Sequence, residues 1–233
     1  MSETTGSPLS PSVTKGALVQ LAEELGIIVP NIIPFQYNPG SMTRSLKPWD
    51  PSEVDQTNRG AASPNVQPYD PEESYKFTLE LDATDDLEAG DILAETTGIA
   101  SRIAAIQKLT EASSGLFGDL IASAASLANT PATDAERATV PITLLVLGAG
   151  VILPVRVTNI SIEIKEFTPQ LYPYMADVQL ELRVLTPEVF KCKTGIAIDI
   201  AIAAYEMTRL QEDALAIANI ANALKSAKSI LPF

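Results

Sequence analysis

The chain has 233 residues, 46% of them hydrophobic and 19% charged, a balance that buries a core and excludes a disordered or fibrous chain. Sixteen basic against 29 acidic residues leave a net charge of -13, which opposes phosphate backbones and anionic headgroups, so neither nucleic acid nor a membrane is the expected partner. With no histidine and one cysteine, Cys192, the chain lacks Ser/His and Cys/His nucleophile pairs, thiolate metal clusters and any intrachain disulfide, and no cluster of carboxylates or lysines stands out for catalysis. A non-enzyme without cofactor or metal is expected.

Met1 to Thr14 is Ser/Thr/Pro-rich, with no basic cluster or apolar run, and reads as a flexible arm rather than a secretory signal. Lys15 to Glu24 admits two readings. A helix would align Leu18, Leu21 and Leu25; a strand would put Leu18, Gln20 and Ala22 on one face and Val19 and Leu21 on the other, and is preferred. Asn31 to Asn38 is strand-like and stops at Pro39-Gly40, with Pro34 marking an edge or a strand start. Met42 to Pro71, rich in proline and polar residues around the single Trp49, is expected to be a long loop in which Trp49 is either a pinned surface residue or an interface anchor.

Tyr75 to Asp82 alternates cleanly, Tyr75, Phe77, Leu79 and Leu81 against Lys76, Thr78, Glu80 and Asp82, as a strand with one wet face does. Asp91 should cap a helix carrying Ile92, Ile99, Ile103, Ile106 and Leu109 near one face, weakened at Gly98 and ended by Gly115. A second short helix is expected over Leu116 to Asn129. Pro141 to Leu147 and Val151 to Val157 flank Gly148-Ala149-Gly150 as a hairpin, with Pro154 at an edge or a bulge. In Val157 to Phe167, Ile160, Ile162 and Ile164 alternate with Asn159, Ser161, Glu163 and Lys165. Beyond the loop Thr168 to Met175, Val178, Leu180, Leu182 and Val184 alternate with Asp177, Gln179, Glu181 and Arg183, which predicts an antiparallel pair with one apolar and one polar face. Thr186-Pro187 closes the β region, and Cys192 beyond it reads as a buried thiol. Ile196 to Ala227 is then helical, with Leu210, Ala214, Ile217, Ala221 and Leu224 spaced by four and three as a lid on the β core or a partner helix. Its apolar stretch contains Asp199 and falls short of the ~20 residues a membrane span needs.

Several segments carry a more specific likeness. Phe35-Gln36-Tyr37-Asn38-Pro39, followed by Ser41 and Thr43-Arg44-Ser45, resembles the F-Q-[FY]-N-P opening of the tube domain of contractile injection systems, found in phage-tail-like particles. Phe77 to Thr84, with Leu81, Asp82 and Thr84, resembles that family's F-x-L-x-L-D-x-T strand. Pro141 to Gly148 and Val157 to Leu185 are similar to its hairpin and closing pair, in the same order along the chain. Leu147 stands where the family often has tryptophan, Leu171 where it has glycine and Met175 where arginine is common; the region after Pro187 is helical where family members often carry a LysM module.

The resemblance implies an α+β fold: an antiparallel β barrel or sandwich of phage-tail-tube type with a packed helix and a C-terminal helical extension. Residues 15–187 would form the tube-like domain, with a loop at 42–71 and a helical insertion at 91–129, and residues 188–233 the extension. It further implies a structural subunit, a hexameric ring joining the spike and baseplate hub to the inner tube. The partners are then further copies, the spike, the inner tube protein and other baseplate subunits, within a particle assembled in the bacterial cytoplasm and later released or envelope-attached. In such a ring Asn159, Ser161, Glu163, Lys165, Gln179, Glu181 and Arg183 would face the lumen or a neighbour, Ile160, Ile162, Ile164, Leu180 and Leu182 would pack inward, and Leu210, Ile217 and Leu224 would mark a partner helix. A tube terminator or main tube protein shares this logic. An envelope adaptor acting through the C-terminal helices, and a monomeric β sandwich with the same period, are the rival readings.

Overall fold

A computed structural model of the chain describes residues 14–24, 27–50, 67–111, 140–191 and 193–230; the helix expected over Leu116 to Asn129, Gly115 and Cys192 lie outside them. Strands β1 (Ala17–Glu24), β2 (Ile27–Pro34), β3 (Met42–Lys47), β4 (Glu72–Asp82), β5 (Ile142–Leu147), β6 (Val151–Phe167) and β7 (Pro173–Val184) form one antiparallel sheet in the order β2-β1-β5-β6-β7-β4-β3. Short helices α1 (Thr84–Glu88), α2 (Ile92–Thr97) and α3 (Ala100–Lys108) follow β4, and a long helix, α4 (Ile196–Ile230), follows a 3-10 turn at Pro187–Phe190. The architecture is α+β.

Alternation places the inner rows. Tyr75, Phe77, Leu79 and Leu81 of β4, Ala176, Val178, Leu180 and Leu182 of β7, and Leu153, Val155 and Val157 of β6 are buried in one core with Leu18 of β1 and Leu145 of β5. Each valine, leucine and phenylalanine among them contributes roughly 1.5–3 kcal/mol by leaving water. The face that carries this core must be covered, and the sheet covers it largely with itself. Five strand intervals separate β2 from β4, about 24 Å in a flat sheet. Yet Phe35, the residue after β2, and Phe77 of β4 have ring centroids 5.6 Å apart. The sheet therefore curls until its ends approach, and α3 fills the seam between them with Ile103 and Ile106, followed by Leu109.

Several sequence expectations need correction. The long loop expected from Met42 instead begins with β3, paired to β4 from Met42 opposite Phe77 to Lys47 opposite Glu72. The single helix expected after Asp91 is divided at Gly98, and its C-terminal part ends at Lys108; Asp91 does cap, accepting from the Leu93 and Ala94 N–H groups, but Ile92 is 78% exposed and only Ile99, Ile103, Ile106 and Leu109 reach the core. Val151 to Val157 and Val157 to Phe167 are one 17-residue strand, bent by a register shift around Thr158. Ile164, expected to point into the core, is 40% exposed. Pro154 sits within β6 just where β7 has run out, and its carbonyl accepts from the Leu185 N–H beyond β7. The missing proline donor costs little there. Pro34 ends β2 rather than starting it, and β2 is an edge strand.

Gly98 is a position that only glycine fits. Its backbone lies at φ 55°, ψ -128°, and a Cβ there would stand 2.1 Å from the Pro173 carbonyl oxygen, which also accepts the Ile99 N–H at 2.8 Å. Gly98→Ala is expected to destabilise the chain by about 3 kcal/mol or more. Urea unfolding followed by circular dichroism measures it, and a loss below about 1 kcal/mol would show that the close approach is not needed.

Candidate functional site

The residues of the FQYNP and LELDAT segments converge on the seam. Phe35 is buried, and its N–H donates to the Gly16 carbonyl at 2.8 Å; a Cβ on Gly16 would lie 2.6 Å from the Phe35 ring. The Gln36 amide reads the backbone of Asp82 as another strand would: its Nε2 donates to the Asp82 carbonyl at 2.5 Å and its Oε1 accepts the Asp82 N–H at 3.0 Å. Arg102 of α3 closes the arrangement, donating to Gln36 Oε1 at 2.8 Å and to the Asp82 carbonyl at 3.1 Å while pairing with Asp86 at 2.6 Å. Asn38 ties down β1, its Oδ1 accepting the Gly16 N–H and its Nδ2 donating to the Thr14 carbonyl, each at 2.9 Å. Asp82 accepts both the N–H and the hydroxyl of Thr84, turning the chain from β4 into α1. Leu81 is buried, Pro39 half-buried, and Tyr37 projects into solvent. A cavity of about 380 Å³ lies along this seam, bounded by Ile33, Phe35, Leu81, Arg102 and Ile106. Gly16 and Arg102 complete the seam, and neither stands in a local pattern that marks it.

The polar row forms a coherent face. Asn159 lies opposite Glu181, Ser161 opposite Gln179 and Glu163 opposite Asp177, with Arg156 opposite Arg183 at the near end. Register carries the face onto β4, Lys76 beside Glu181, Thr78 beside Gln179 and Glu80 beside Asp177, and onto β3 through Thr43 beside Lys76. Lys76–Glu181 (2.6 Å), Lys165–Asp177 (2.7 Å) and Arg183–Glu72 (2.5 Å) ion pairs span it. These are exposed pairs worth between nothing and about 1 kcal/mol each, so they order the face more than they stabilise it. Among the expected inner residues, Leu180 and Leu182 are fully buried and Ile160 and Ile162 half-buried. The β6–β7 tip exposes Phe167, Leu171 and Tyr172, and Leu171 takes φ 65°, the left-handed conformation that glycine adopts at no cost.

A third cluster joins α4 to the sheet. Tyr205 enters the main core and donates its hydroxyl to Asp70 at 2.9 Å; Ala197 packs on the opposite sheet face with Leu21 and Leu144. The Thr208 hydroxyl accepts the Ile152 N–H at 3.0 Å and donates to the Ile152 carbonyl at 2.8 Å, serving the stretch of β6 that β7 does not reach. Glu73, 2% exposed, accepts from Arg44 of β3 and Arg209 of α4, each at 2.5 Å; Glu212 accepts from the same two guanidiniums at 2.6 Å. Burial alone would raise the Glu212 carboxyl, but hydrogen bonds from Arg209 and Arg44 outweigh it and hold the group below its ordinary 4.5. Burial likewise opposes the Arg209 charge, and its bonds to Glu212, Tyr205 and Glu73 raise its pKa above the ordinary arginine value.

The lid is thus made by Ala197, Ala201, Tyr205 and Thr208, not by the expected seam. Leu210 and Ile217 are 69% and 67% exposed, and the Leu224 side chain lies outside the described residues. Among the described residues no helix is long and apolar enough to cross a membrane, and no three His, Cys, Asp or Glu side chains gather as metal ligands. No protein-family model matches the chain, and no curated protein matches it.

Two measurements test this geometry. Leu171→Gly should raise unfolding stability by about 0.5–1 kcal/mol, the relief of left-handed strain less the added chain entropy; a loss would show that the exposed leucine side chain matters more than its backbone. Because the folded-state pKa of Glu212 is depressed, its stabilisation is fully present above pH 4.5 and is lost as pH falls through the lowered value. The stability difference between the native chain and Glu212→Gln should therefore be flat above that pH and shrink below it, and a difference independent of pH would remove Glu212 from the acid response.

Proposed function

We propose that the chain is a non-catalytic structural subunit of a contractile injection system, a ring between the spike and baseplate hub and the inner tube, with a sheet of phage-tail-tube type. The observation that carries this reading is the convergence of its motif residues. Phe35, Gln36, Asn38, Asp82 and Thr84, which carry the sequence likeness, all act in one device that draws the ends of a seven-stranded sheet together. Motifs matching by chance have no reason to meet in space, 46 residues apart, through reciprocal hydrogen bonds.

The surface supports the same reading. Asn159, Ser161, Glu163, Lys165, Gln179, Glu181 and Arg183 lie on one polar face that extends across β4 onto β3, as a wall of a water-filled channel requires. Both sheet edges, β2 and β3, lack a further strand among the described residues, and ring closure is one way to occupy such edges. A net charge of -13 would favour an acidic lumen that repels acidic cargo.

Electron microscopy of particles assembled with the full chain tests the proposal. A sixfold ring of this protein next to the spike is expected. Lys165→Glu combined with Arg183→Glu should abolish that ring while leaving the chain folded, with a stability loss of no more than about 2–3 kcal/mol, since each exposed pair is worth at most about 1 kcal/mol. Particles that assemble with this protein absent from every ring would overturn it.

A further inference from the structure

Helix α4 carries a second apolar face that the β core does not use. While Ala197, Ala201, Tyr205 and Thr208 turn inward, Ile196, Ile200, Met207, Leu210 and Ile217 are all exposed. Their positions, with Ala203, Ala214, Ala221 and Leu224, follow an unbroken alternation of four and three residues from 196 to 224, the spacing of a helix–helix seam. Leu215 and Ile220 add exposed apolar surface over the stretch where no residue from 213 to 220 is covered. A helix apolar on so many sides is stable in water only when something covers it.

We propose that the 207–224 stretch of this seam is covered by α4 of a second copy, running antiparallel. Two features of α4 select this occupant. One is the placement of large and small residue types: with position 207 of one copy level with position 224 of the other, position 210 is level with 221 and 214 with 217. Large residue types then stand level with small ones in two of the three distinct layers between 207 and 224, and each of these layers repeats by symmetry. The other is charge. Asp199, Glu206 and Asp213 are exposed and make no ion pair with a described residue, whereas the charged residues from 214 to 233 are Lys225 and Lys228. An antiparallel pair sets the acidic half of each helix along the basic half of its partner and opposes the two helix dipoles; a parallel pair sets like against like. The pairing uses α4 alone and is independent of the polar sheet face.

The test uses the full-length chain carrying Lys165→Glu and Arg183→Glu, so that ring formation and helix pairing register separately. Sedimentation equilibrium should give twice the chain mass, and Leu210→Glu with Ile217→Glu should weaken the dimer more than tenfold without changing the unfolding of the β core. For orientation, Cys192→Ser chains carrying Leu210→Cys and Ala221→Cys are mixed and oxidised with oxidised glutathione. The mixture should cross-link and neither variant alone should do so, because like positions lie about 16 Å apart in the antiparallel pair, beyond disulfide reach. A monomer at about 100 μM, where a micromolar pairing would be nearly complete, overturns the proposal. So does cross-linking of the Leu210→Cys chain to itself, or a seam that is occupied only by a different protein.

Discussion

The sheet has to hide its main apolar face, and it does so by bringing its own ends together. Gln36 is the side chain through which they meet. Its amide offers the Asp82 backbone one donor and one acceptor, the pattern a neighbouring strand would offer, although no ladder joins β2 to β4. Each such bond nets only about 1 kcal/mol, but it fixes where the curl stops. Phe35 and Phe77 then meet as a tilted ring pair across the interior, and α3, which carries Arg102, occupies the remaining gap. Polar bonds set the geometry, and the buried aromatic and aliphatic area supplies the energy.

The second constraint is the buried carboxylate of Glu73. A charge with 2% exposure is tolerable only when it is paired and hydrogen-bonded, and it is held by two guanidiniums from elements far apart in sequence. Arg44 comes from the edge strand and Arg209 from the C-terminal helix, while Glu212 balances the pair from the solvent side. This quartet, with Thr208 on the free stretch of β6, anchors the first half of α4. Residues 213 to 220, just beyond this anchor, are all exposed.

Those same charges explain where local pattern failed. The inner row of β3 is Met42, Arg44 and Leu46, so an alternation test meets a cation where it expects an apolar residue, and the strand reads as loop. Glu73 likewise sits on the inner row of β4, so the apolar alternation begins at Tyr75 although the strand begins at Glu72. In the helical region the pattern of Ile92, Ile99, Ile103, Ile106 and Leu109 runs through Gly98, and the Pro173 carbonyl pressed against that glycine breaks it into separate helices.

By itself the sequence determined what depends on neighbours within a few residues. The two-residue period of Tyr75 to Leu81, of Ile160 to Lys165 and of Asp177 to Val184 specified strands and their wet faces, and Asp91 announced a helix cap, because side-chain direction follows backbone repeat. It also displayed the motif residues, but not their work. Only the tertiary structure decided that Gln36 faces Asp82, that Arg102 and Gly16 complete the seam, that Glu73 is paired rather than solvated, and that the lid on the core is the Ala197–Thr208 face of α4 and not its Leu210–Ile217 face. Each of these depends on partners tens of residues away, brought together by the curl of the sheet, and no local periodicity encodes where a curl will stop.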